Sequence, residues 1–117
     1  MVTVHISKKN NQFVSYEMTG HAEFDDPGKD LVCAAVSILA QNTLVSFEEV
    51  AGVSGVIYEV EDGYLYGELP LELTKEQCHD CDVLLRSFET GIRGLVEIYP
   101  EHIKLIIEEV ESNDDQI

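Results

Sequence analysis

The chain has 117 residues, 44% of them hydrophobic, which fits one globular domain and excludes a disordered chain or an array of domains. Its formal net charge of −16 argues against nucleic acid as a partner, because phosphates would be repelled, and suits a basic protein or peptide. Three cysteines, an odd number, with no signal-peptide pattern at the amino terminus, point to a reducing, cytoplasmic setting.

The charge is uneven: seven acids face three bases over residues 1–58, and sixteen face four over residues 59–117. No stretch is read as approaching the roughly 18 apolar residues of a membrane span, so no membrane is expected as a partner.

In chain order, Val2–Ser7 alternates as a strand, Lys8-Lys9-Asn10-Asn11 reads as a turn, and Phe13–Met18 pairs back. Gly20-His21-Ala22 follows where this second strand hands over to a loop. Residues 23–29 carry Pro27-Gly28 and are expected to form a mobile loop able to close over a substrate. Asp30 is read as the N-cap of a helix over Leu31–Ala51 that is apolar on almost every face. One sheet cannot cover such a helix, so a second helix or a second subunit must cover the rest.

Gly52-Val53-Ser54-Gly55 ends that helix, and Asp62-Gly63 is a hairpin turn between strands Val56–Glu61 and Tyr64–Leu69. A second long helix is predicted from Thr74, as N-cap, to Tyr99, with Gly91 and Gly94 placed to allow close approach of another backbone. Pro100 stops it. His102–Val110 is a last strand, and residues 111–117 form a polar tail expected to be disordered. The expected fold class is an α/β (α+β) sandwich, order β-β-α-β-β-α-β. A mixed or antiparallel sheet of about five strands packs with two long helices in a single domain over residues 1–110.

His21 and Cys33 are the candidate catalytic pair, since histidine and cysteine are a common base and nucleophile. With Asp30 at the N-cap, Cys33 falls at the third helical position. The helix dipole there favours a thiolate, and unsatisfied N–H groups can receive an oxyanion. Asp30 opposes the thiolate if its carboxylate faces the sulfur, and helps if it orients His21. Ser37, four residues on, shares the helix face of Cys33; it either hydrogen-bonds within the site or bonds its own helix carbonyl. A cysteine among Val32, Ala34 and Ala35 also reads as a plain core residue.

Gly20-His21-Ala22, followed by Gly28-Lys29-Asp30-Leu31-Val32-Cys33-Ala34-Ala35-Val36-Ser37, resembles the signature of the ribosomal-processing cysteine protease family, Prp. The resemblance extends over essentially the whole chain apart from the tail. It implies an endopeptidase that trims a short N-terminal extension from a protein of the large ribosomal subunit. It also implies Cys33 as nucleophile and His21 as general base and proton donor. Gly20, Asp30 and Ser37 fall to supporting roles, with no cofactor or metal, a basic ribosomal protein as substrate, and a homodimer.

Two other readings compete. Cys78-His79-Asp80-Cys81 is a C-x-x-C that invites a redox or zinc site, but it lies a turn into the second helix and has no partner motif. A non-enzymatic adaptor binding a ribosomal protein through its acidic face is the other.

Overall fold

The computed structural model describes residues 1–20 and 27–110, with the side chains of 27–30 left aside. The elements are β1 (Val2–Lys9), β2 (Gln12–Thr19), α1 (Pro27–Glu49), β3 (Ile57–Glu61), β4 (Tyr64–Glu68), α2 (Lys75–Ile98) and β5 (Ile103–Val110). The expected order of elements is the one observed. The sheet runs β3-β4-β2-β1-β5. β1 and β5 are parallel and the other neighbours antiparallel, so the sheet is mixed.

This register makes β2 parallel to β3 and β4 parallel to β5. The connections β2-α1-β3 and β4-α2-β5 are therefore crossovers that skip intervening strands. They travel in opposite directions across the sheet from strands of opposite sense. With the right-handedness such crossovers obey, both helices land on one face. The alternation of β1 then decides the core: Val2, Val4 and Ile6 are buried beneath the helices, while Thr3, His5 and Ser7 point to the open face.

The β1–β2 hairpin turns on Asn10 and Asn11, both at positive φ (54° and 66°), which asparagine tolerates better than most residues. A register shift at Ser7/Lys8 follows, and the Lys8 ammonium lies 4.5 Å from the centre of the Phe13 ring.

α1 begins at Pro27, not at Leu31. Proline suits the first helical position because its missing N–H would have no partner there. Asp30 is therefore inside the helix and is not its N-cap. Residues 27–29 of the expected loop are also helical, and the lid expected over 23–29 otherwise lies outside the described residues. So do His21 and the tail 111–117.

The far end of α1 is capped by Gly52, at φ 69°. The Gly52 N–H donates to the Glu48 carbonyl (3.1 Å) and the Val53 N–H to that of Phe47 (2.9 Å). α2 opens with the expected cap: the Thr74 hydroxyl accepts from the Gln77 N–H (3.1 Å), and the Gln77 side chain accepts from the Thr74 N–H (3.0 Å). The Gln77 amide also donates to the Gly52 carbonyl (2.9 Å), tying the start of α2 to the end of α1. Gly91 does give close approach, but to a side chain: a Cβ there would lie 3.1 Å from Leu39 Cδ1 of α1. Gly94 has open space around it.

By length and composition, Leu31–Glu49 is apolar enough to cross a membrane, contrary to the sequence expectation. Its Val32, Val36, Ala40 and Phe47 are nonetheless fully buried in the packed core. Tyr16 of β2 is the centre of that core. Its hydroxyl donates to the Ala40 carbonyl of α1 (2.7 Å), and its ring packs on Phe47 of α1 and Phe88 of α2, with centroids 6.2 and 4.9 Å away. Gly67 of β4 makes room for this ring, since a Cβ there would sit 2.7 Å from Tyr16 Cε1. Burial pushes the Tyr16 phenol well above the usual tyrosine range.

Tyr16→Phe should cost about 0.5–1.5 kcal/mol in urea unfolding, the usual net worth of one buried hydrogen bond. In the folded chain the phenol holds its proton above the pH at which it ionises when unfolded. Its contribution is thus complete below about pH 10 and declines as pH rises past that value. Alkaline unfolding of Tyr16→Phe should therefore show a shallower fall in stability above about pH 10 than the parent chain.

Candidate active site

Cys33 is the seventh residue of α1. Its own N–H belongs to the intrahelical ladder, and the unsatisfied donors of the first turn lie ahead of it. The expectation that Cys33 sits at the third position, with its backbone N–H free, is corrected accordingly. The half-buried thiol instead lines a cavity of about 390 Å³ between α1 and the β3–β4 hairpin.

One wall of this cavity is the helix face Cys33, Ala34, Ser37 and Gln41. The other is the hairpin, from Val60 through Glu61-Asp62-Gly63 to Tyr64 and Leu65, with Met18 of β2 at the base. Cys33, Ser37 and Gln41 recur every four residues and so share a helix face. The adjacent face, about 100° round the helix, through Val32, Val36 and Ala40, is buried. The same periodicity that drives α1 into the core thus turns the thiol toward the hairpin. Gln41 Nε2 donates to Ser37 Oγ at 2.8 Å.

Gly20 ends β2 beside the same hairpin. Its N–H donates to the carbonyl of Gly63 (3.0 Å), a residue of the cavity wall. Its φ of 141° is in a region that favours glycine, and a Cβ would meet the Met1 carbonyl oxygen at 2.7 Å and Val2 Cα at 2.8 Å. Only glycine fits there without displacing the start of β1. His21 is the next residue in the chain.

The hairpin is acidic. Glu61 lies near Glu59, and a side-chain hydrogen bond between them, with their mutual repulsion, raises the Glu59 carboxyl above its ordinary value. The Tyr64 hydroxyl donates to Glu17 (2.9 Å), which raises its phenol. Among the described residues, none of the ion pairs involves Glu59, Glu61 or Asp62.

The cavity brings Cys33 and Ser37 together and places Gly20 at its edge; His21 and the side chain of Asp30 lie outside the described residues. Sequence reasoning missed the hairpin wall and Gln41. The signal for Gln41 was available in its four-residue spacing from Ser37. The C-x-x-C motif is elsewhere: Cys81 is buried in the core, and Cys78 lines a separate cavity with Phe13, Leu73 and Asp82. Burial, chiefly, pushes the Cys81 thiol up to about 11. Among the described residues no group of three or more His, Cys, Asp and Glu is placed to hold a metal ion.

A half-buried free thiol on a helix, facing a cavity under the β3–β4 hairpin, is the arrangement a thiol hydrolase of α/β build requires. The family model for cysteine protease Prp matches residues 1–104. The chain belongs to this family and is a cysteine protease. It is 28% identical over 107 residues to the ribosomal processing cysteine protease Prp of Bacillus subtilis, covering 90% of this chain and 96% of that one. The crystal structure of SMU.848 from Streptococcus mutans is 29% identical and superposes with a TM-score of 0.79, covering 94% of this chain and 96% of that one. The essential ribosomal processing protease Prp of S. aureus, solved with a substrate peptide, shares the fold at 19% identity and a TM-score of 0.76, over 92% of this chain and 99% of that one.

At pH 8 iodoacetamide should modify Cys33 in the folded protein and leave Cys81 untouched until the chain is unfolded. Peptide mapping after a timed pulse reads both; equal labelling of the two would contradict the assigned burial.

Proposed function

We propose that this protease removes a short N-terminal extension from a basic protein of the large ribosomal subunit, with Cys33 as nucleophile and His21 as general base. The observation that carries the reading is the position of Cys33 in a cleft whose edge is formed by Gly20, one peptide bond before His21. The relative in Bacillus subtilis is named for ribosomal processing, and the S. aureus structure for its substrate peptide.

In the first step the Cys33 sulfur attacks the peptide carbonyl carbon as its proton passes to His21. The carbonyl electron pair moves to oxygen. When the tetrahedral species collapses, the C–N bond breaks, and His21 gives its proton to the leaving amine. Water, deprotonated by His21, then hydrolyses the thioester and releases the acid product.

The wall of Glu61 and Asp62, with Glu59 beside it, favours a cationic peptide over an anionic one. The net charge of −16 adds long-range attraction to a basic protein and repulsion of bare nucleic acid. Three unpaired cysteines fit a cytoplasmic enzyme.

A homodimer is part of the proposal. Leu31, Ile38 and Val45 recur every seven residues on α1 and are 58, 68 and 58% exposed in the single chain. Tyr58 and Val60, on the helix-side face of β3, are exposed beside them. A seven-residue apolar stripe is the pattern that pairs one helix with its symmetry mate. It also meets the sequence expectation that α1 needs more cover than one sheet.

Incubation with the organism's own ribosomal proteins, read by intact-mass spectrometry, should give one protein shortened at its amino terminus. Cys33→Ala and His21→Ala should each lower that cleavage at least about 10³-fold, and normal cleavage by either variant would overturn the dyad. Sedimentation should show a dimer that Ile38→Glu converts to monomer; a monomeric parent chain would refute the dimer alone.

A further inference from the structure

Attack on a peptide carbonyl creates an oxyanion that must be met by a fixed donor. The N–H of Cys33 is taken by the helix, so a side chain on the cavity wall is the natural supplier. Ser37 is placed for it, one turn beyond Cys33 on the same cavity wall.

What distinguishes Ser37 is the direction of its hydrogen bonding. Hydroxyls inside helices usually donate to the carbonyl four residues back. Thr43 does so to Leu39 (2.9 Å), and Thr90 does so to Arg86 (2.9 Å). Ser37 does not: its oxygen accepts from Gln41 Nε2 at 2.8 Å. Among the described residues its own proton has no acceptor. A hydroxyl oxygen that receives one bond keeps a single proton to give. Gln41 presents Nε2 rather than Oε1 to Ser37, so the amide donates and the hydroxyl oxygen accepts.

Resting on the protease reading, we infer that Gln41 is a positioning residue. It holds Ser37 as an acceptor on the side away from Cys33 and so commits the Ser37 hydroxyl proton to the carbonyl oxygen of the scissile bond. Ser37 is then the catalytic donor to the oxyanion, and Gln41 acts only through it. Gln41 is exposed and outside the core, so removing its amide leaves the packing of α1 unchanged. Gln41 lines the cavity wall one turn beyond Ser37, and neither the thiol nor the dyad depends on it.

The experiment is a double-mutant cycle on the full chain. The substrate is a synthetic peptide spanning the cut identified in the organism's ribosomal protein. Gln41→Met keeps length and removes the amide; Ser37→Ala removes the hydroxyl. Gln41→Met should lower kcat about fivefold to tenfold with KM unchanged, since a group acting only in the transition state leaves ground-state binding alone. Ser37→Ala should lower kcat about 10²-fold, the usual loss for one oxyanion donor. The double variant should match Ser37→Ala alone, because Gln41 has nothing left to orient. Wild-type kcat in Gln41→Met would overturn the inference, as would an undiminished Gln41→Met effect on the Ser37→Ala background. Either result, with cleavage still abolished by Cys33→Ala, would leave the protease reading standing. Undiminished cleavage by Cys33→Ala would overturn both.

Discussion

Tyr16 donates a 2.7 Å hydrogen bond to the Ala40 carbonyl from inside the core, and the placement of Cys33 follows from where this fixes α1. A long apolar helix on a sheet can slide or roll at little cost, because apolar contact is not directional. A single buried hydroxyl with one acceptor is directional, and leaving it unmet would cost about 1–3 kcal/mol. Cys33 is seven residues ahead of Ala40, which is two turns and about 10.5 Å along the axis. With Ala40 pinned to β2, the thiol is carried to the end of the sheet where β2 stops and the β3–β4 hairpin turns. Gly67 and the rings of Phe47 and Phe88 hold the tyrosine in that position.

The end of the sheet beside Cys33 is then assembled from backbone. β2 and β4 are paired through Thr19 and Tyr64, and the next residue, Gly20, is clipped to Gly63. Gly20 cannot be replaced without displacing Met1 and Val2. The strand that precedes His21 is thereby registered against the same hairpin that walls the thiol cavity. Scaffold and candidate site share one set of constraints, with the thiol on a helix face and the facing cavity wall on the β3–β4 hairpin.

Much of this was legible in the chain. The alternation of Val2, Val4 and Ile6, the Asp62-Gly63 turn and the Thr74 cap are local signals, and each led to the element observed. The start of α1 was not, because two local rules competed there. Asp30 looked like a cap, but Pro27 at the first helical position won, and the dipole argument for Cys33 was displaced by four residues. The exposure of Ile57, Tyr58 and Val60 was hidden for a different reason: only the sheet order shows that β3 is an edge strand. The hairpin wall was illegible because it faces Cys33 across roughly 30 residues of chain, a distance that only tertiary packing closes. The Gly20, His21 and Cys33 motif, by contrast, was readable at once as a family signature, and the family match bears out the protease class.

The central claim is that the Cys33 sulfur attacks the peptide bond. It is tested most directly by acid-quenching the reaction with the substrate peptide within milliseconds and mapping the trapped protein by mass spectrometry. The account predicts an acyl adduct with the mass of the N-terminal fragment, attached to Cys33 and to neither Cys78 nor Cys81. An adduct on another residue, or full turnover with no thioester formed at Cys33, would contradict it.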